Sequence, residues 1–157
     1  MQDREYLFLH TSESVQAVAE WIQKQFALEP IPNGSDDEDE IGLRGPARTA
    51  DATVGYEVQY NIYPVHEPEP DEVQAFDAYP VEIDLWLGQD GGTQAQEARL
   101  LFDQLVQARP DVPMLLCHDL SDLVAAYLPG QGVHEFPDHV TVYARHADAW
   151  RGWVVSG

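Results

Sequence analysis

Positive charge is what this sequence has least of. Lys24 is the only lysine, and 8 basic residues stand against 28 acidic ones, giving a formal net charge of −20 and a pI near 4.2. Such a surface repels nucleic-acid phosphates and anionic lipid and speeds encounter with basic partners. Nucleic acid and membrane are therefore not expected as partners, although solubility or adaptation to high salt would produce the same excess of carboxylates. Cysteine is scarce too. The single Cys117 cannot form an internal disulfide, and its place in an apolar run predicts a buried thiol, which suits a reducing cytoplasm. Long hydrophobic runs are missing: none approaches the ~20 residues of a membrane helix. The opening Met1-Gln2-Asp3-Arg4-Glu5 has neither the basic start nor the apolar stretch of a signal peptide. The expectation is a cytoplasmic protein, and 157 residues suit a single domain, 1–157, that buries its core without metals or disulfides.

What is present is clearest in 79–118. Val81, Ile83, Leu85 and Leu87 alternate with Glu82, Asp84 and Trp86, the signature of a half-buried strand. Gly88-Gln89-Asp90-Gly91-Gly92 breaks it, and Thr93 with Gln96 reads as a capping box. The helix that follows carries Ala98, Leu101, Phe102, Leu105 and Val106 on its packed stripe, leaving Gln94, Gln96, Glu97, Gln104 and Gln107 wet, and ends at Arg109-Pro110. Met114-Leu115-Leu116-Cys117 then reads as a strand buried on both faces.

Upstream, Tyr6-Leu7-Phe8-Leu9 predicts a short strand, and Val15, Val18, Ala19, Ile22 and Phe26 a helix with Trp21 at the edge of its stripe. From 29 to 50, prolines, glycines and five consecutive carboxylates, Asp36, Asp37, Glu38, Asp39 and Glu40, predict a mobile acidic insertion. Residues 52–63 form the longest alternation, a one-sided antiparallel strand with Glu57, Gln59 and Asn61 outward. A second acidic connection, 64–77, carries Glu69, Asp71 and Glu72, with a helical turn expected at 71–76. The stretch 119–128 fits either a return strand or a helix, and the hairpin is adopted here. Residues 139–145 alternate as a last strand, and Trp150 and Trp153 are expected to dock on the core. The element order suggests an α+β fold: a ferredoxin-like antiparallel sheet with two helices on one face and room for a C-terminal hairpin.

Chemistry is less legible. His118, Asp119, Asp122, His134, Glu135, Asp138 and His139 are metal-capable, yet no H-E-x-x-H, cysteine pair or D-x-D-x-D-G loop gives them geometric support. Cys117 and His118 are strand neighbours and point apart, so they are not a nucleophile and its base. Glu82 and Asp84 share a strand face, where neighbouring carboxylates can share a proton. Trp86 lies between acidic neighbours on that face, and an exposed tryptophan there calls for a cover, either a partner or the 64–77 connection of the same chain.

Val81 to Leu87, the helix segment Glu97-Ala98-Arg99-Leu100-Leu101-Phe102, the run Leu123-Val124-Ala125-Ala126-Tyr127-Leu128-Pro129-Gly130 and the closing Trp150-Arg151-Gly152-Trp153 resemble small bacterial, often actinobacterial, immunity proteins encoded beside polymorphic toxins. The resemblance covers 79–153 and leaves out the insertion at 29–50 and the loop at 64–77. It implies a cytoplasmic protein that binds and blocks one cognate toxin and has no activity of its own. The reading is a non-enzymatic inhibitor of a basic toxin domain, such as a nuclease or other nucleotide-directed enzyme. Its partner-binding residues would be Trp86, Glu82, Asp84, Glu57, Asp36, Asp37, Glu38, Asp39, Glu40, Glu69, Asp71 and Glu72, with no catalytic residue, metal or cofactor assigned. Two alternatives stay open: a small enzyme or ligand-binding domain using the polar cluster at 118–139, and an acidic nucleic-acid mimic.

Overall fold

The structure, a computed structural model, describes residues 4–31, 38–87 and 93–155. Among these, β1 (Glu5–Leu9), β2 (Glu29–Pro30), β3 (Glu40–Pro46), β4 (Thr53–Tyr60), β5 (Val81–Leu87), β6 (Met114–His118), β7 (Asp122–Leu128) and β8 (Gly132–Glu135) join in one sheet. Its order is β2-β3-β4-β5-β1-β6-β7-β8, and every neighbouring pair is antiparallel. The helices are α1 (Val15–Phe26), α2 (Gln94–Ala108) and the short α3 (Ala147–Trp150). No helix among the described residues is long and apolar enough to cross a membrane.

One face of the sheet carries α1 and α2. Ser14 caps α1 by accepting from the Ala17 N–H, and the helix buries Val15, Val18, Ala19 and Ile22 before Ala27, at φ 53°, ends it. The packed stripe of α2 is Ala98, Leu101, Phe102 and Leu105. Both stripes meet the inward residues of the strands, including Leu7, Val58, Ile83, Leu85 and Leu116.

The opposite face is half covered. Phe8, Leu115, Cys117, Leu123 and Ala126, from β1, β6 and β7, are sealed beneath two irregular segments that supply Ala75, Phe76 and Tyr79 on one side and Phe136, Val142, Trp150 and Val154 on the other. Phe8 and Phe76 stack with centroids 4.7 Å apart, and the Val155 N–H donates to the Tyr79 hydroxyl, tying the two covering segments together. Among the described residues, β2, β3 and β4 contribute nothing to this second core. Their side of the sheet stays open.

The sheet is larger than the sequence suggested, and several expectations need correction. The stretch 29–50 contains two strands, β2 and β3, although Asp36 and Asp37 lie outside the described residues, as does the 88–92 turn. Residues 71–76 form turns rather than helix. Residues 139–145 make only isolated bridges, Asp122 with Thr141 and Gln74 with Tyr143, before a 3-10 turn begins at Ala144. Thr93 makes no side-chain cap, and Gln94 and Glu97 are buried rather than wet. The return strand at 119–128 is β7, paired antiparallel with β6. Trp150 is buried, and Trp153 stacks on His134 at 4.3 Å.

Candidate recognition face

β5 lies between β4 and β1, so side chains on its second face have neighbours on both sides. Asp84 is opposite Glu57 in β4 and Tyr6 in β1, and Glu82 is opposite Gln59 and Phe8. Tyr6 and Tyr63 meet edge-on, their ring centroids 6.5 Å apart. Beneath this cover Glu82 and Asp84 are 0% and 2% exposed, so neither stands on the surface of the unbound protein. This corrects the expectation of an outward acidic pair: the irregular layer that starts beyond β4 folds back over the face, which strand periodicity cannot reveal.

The two carboxyls differ in state. Gln59 Nε2 donates to Glu82 Oε1 at 3.1 Å, and Arg4 Nη1 reaches Asp84 Oδ2 at 3.4 Å. Glu82 Oε2 and Asp84 Oδ1 are sealed and receive no donor among the described residues. Burial raises the pKa of both groups above the carboxylate range, and the hydrogen bond between them pushes Glu82 further up while drawing Asp84 partly back down. A proton on Glu82, donated to Asp84, satisfies both groups and leaves Asp84 ionised opposite Arg4. Burial, reinforced by the Asp84 charge, likewise pushes the Tyr6 phenol up to about 12.

Trp86 marks the border between covered and open sheet. It is half-buried, with its ring lying on Gly55, its register partner. A Cβ at Gly55 would fall 2.3 Å from the ring, so only glycine lets the indole lie flat there. The Arg4 guanidinium sits 4.4 Å from the ring centroid and is also 3.4 Å from Glu57 Oε2. Beside this group, Gly42, Arg44, Glu57 and Gln59 are half-buried on the open part of the face.

The other expected partner-binding residues lie apart from this centre. Glu38 and Asp39 are exposed, and Glu40 is half-buried at the start of β3, where Gln16 Nε2 holds the Glu38 carbonyl at 2.5 Å. Glu69, Asp71 and Glu72 are exposed on the segment that covers the second face, next to the exposed Ile62 and Val65. Three further arginines pair with the protein's own carboxylates: Arg44 with Glu29 at 2.8 Å, Arg99 with Glu135 at 2.7 Å and Arg109 with Glu13 at 2.7 Å. The acidic surface is thus poorly offset from within.

The histidines of 118–139 have separate surroundings. His118 Nδ1 is 2.7 Å from Glu5 Oε1, and the buried Glu5 also accepts from Gln94 Nε2 at 2.7 Å. His134 lies against Trp153, and His139 sits in an exposed turn at φ 72°. No group of three or more metal-capable side chains occurs among the described residues. Arg4, Gln59, Tyr6 and Tyr63 were not singled out by sequence. Of these, Gln59 carried a signal, its place on the outward side of the 52–63 alternation, and Tyr6 lay in the predicted first strand.

Comparison with known proteins gives no matching family model, no matching curated protein and no matching solved structure. The functional reading therefore rests on this chain's own chemistry, which joins an aromatic ring face, partly accessible carboxylates and unopposed negative charge.

Proposed function

We propose that this protein is a non-enzymatic binding protein of the immunity type, which neutralises a cognate basic toxin domain in the cytoplasm by capping it with the open part of its sheet. The observation that carries this reading is Trp86: half-buried at the edge of the uncovered face, with Glu57 beside it and the internally committed arginines leaving the surrounding field negative. An aromatic anchor with a carboxylate rim suits a partner rich in arginine or lysine. The exposed Glu38, Asp39, Glu69, Asp71 and Glu72 lie farther out, where charge steers encounter more than it holds the complex. We infer also that the inner order β4-β5-β1-β6, with α1 and α2 as its crossovers, is a ferredoxin-like core widened at both edges.

The test is capture of the partner from the native host followed by kinetics at several salt concentrations. The association rate should fall steeply as salt rises, and Trp86→Ala should raise the dissociation rate at least about tenfold, the loss of one anchoring side chain. An association rate indifferent to salt, or a Trp86→Ala protein that dissociates like the wild type, overturns the proposal.

A further inference from the structure

Three arginines, Arg4, Arg99 and Arg109, share one recipe, a guanidinium over an aromatic ring with carboxylates at its edge, and one of these sites is poorly filled. Arg109 shows the well-filled version: its Cζ lies 5.1 Å from the Trp21 ring centroid and its Nη2 donates to Glu13 Oε1 at 2.7 Å, with Nη1 at 3.3 Å from Oε2 of the same carboxylate. That is the two-pronged geometry a guanidinium prefers. Arg4 has the closer ring, at 4.4 Å, yet a single nitrogen, Nη1, is shared between Glu57 and Asp84 at 3.4 Å each. Charge-assisted bonds of full strength run near 2.7–2.9 Å. Its side chain is 37% exposed, whereas the carboxylate it faces, Asp84, is sealed.

We propose that Trp86, Glu57 and Asp84 form a recognition site for a guanidinium or ammonium group presented by the partner, and that Arg4 fills it in the unbound protein as a displaceable stand-in. The site has the parts a cation needs: a ring face set flat by the missing Cβ of Gly55, a half-exposed carboxylate in Glu57, and in Asp84 a buried carboxylate whose charge is costly to leave uncompensated. An incoming arginine that bonds through two nitrogens makes better use of these acceptors than Arg4 does with one. Displaced Arg4 stands at the rim of an acidic surface, where water solvates it, so the exchange does not strand a buried charge. This inference deepens the reading of a basic partner given above and supplies the specific contact at its centre.

The probe is L-arginine amide, titrated into the protein while the Trp86 indole N–H resonance, assigned with Trp86→Phe, is followed by NMR. Arg4→Ala should bind the probe at least tenfold more tightly than the wild type, and adding Glu57→Gln to that variant should weaken binding severalfold. A folded Arg4→Ala protein that binds no better than the wild type overturns the proposal. Because removing Arg4 leaves Asp84 without its counter-ion, the wild type provides an independent measurement. Its Arg4 Nε–H resonance should move toward that of a solvent-exposed arginine as the probe is added, and an unmoved resonance at saturating probe overturns the proposal. Probe binding without any salt-dependent protein partner would sink the inhibitor reading and leave the site standing. Salt-dependent partner binding without probe binding would do the reverse.

Discussion

At the scale of single residues, the pair Glu82 and Asp84 has a consequence for stability. Both pKa values are raised by burial. A carboxyl with a raised folded pKa is bound to more protons folded than unfolded, so its contribution to stability is fully present below the unfolded value and is lost as pH rises through the folded one. The pair should therefore make the protein less stable on going from about pH 5 to about pH 9, the span over which an unfolded carboxyl is ionised while Glu82 resists ionisation. Glu82→Gln imitates the protonated form: its amide can donate to Asp84 while its carbonyl oxygen still accepts from Gln59. This variant should equal or exceed the wild type in Tm at neutral pH and lose most of the alkaline decline. Thermal unfolding across that range checks it, and a wild-type decline that persists unchanged in Glu82→Gln would assign it elsewhere. Glu82→Ala provides the contrast, since it opens a cavity and leaves the Gln59 amide without its acceptor, at a cost of about 2–4 kcal/mol.

At the scale of elements, a carboxylate in the first turn of α2 does the work that the sequence assigned to solvent. Glu97 is buried and accepts from the Arg48 N–H at 2.9 Å and the Thr49 N–H at 2.6 Å, holding the β3–β4 connection against the helix. Glu97→Gln removes the charge from these bonds and turns half of the acceptor into a donor facing donors. The expected loss is about 1.5–3 kcal/mol, with faster amide exchange at Arg48 and Thr49 while the strands of the central sheet stay protected. The same contacts explain which elements could be read in advance. β6 and the apolar stripes of both main helices have side chains whose spacing reports burial directly. β3 was hidden because its glycines look like breaks and are packing devices: a Cβ on Gly45 would meet Leu28 Cδ2 at 2.5 Å, and one on Gly42 would press on Ile31 at 3.3 Å. In 139–145 the alternation was genuine, for Val142 is buried and Val140 packs on the second core, but alternation registers burial and says nothing of a pairing partner. The acidic pair on β5 was misplaced for a related reason, since whether a strand face is wet depends on segments remote in sequence.

At the scale of the whole molecule, a charge of −20 on 157 residues opposes folding through self-repulsion and favours association with cations, and these two effects respond to salt with opposite signs. Screening relieves the repulsion, so Tm should rise by several degrees between low salt and about 0.5 M, where the Debye length has shrunk below the spacing of most surface carboxylates. Screening also weakens attraction to a basic partner, so affinity should fall over the same interval. An acidic surface that serves only solubility or life in high salt gives the first response without the second: stability would keep climbing toward molar salt, and any protein contact would hold or strengthen. Parallel measurements of Tm and partner affinity along one salt series therefore separate the two origins of the charge. A rise in both would remove electrostatic recognition from the account of this protein while leaving its fold and its buried carboxyl pair as described.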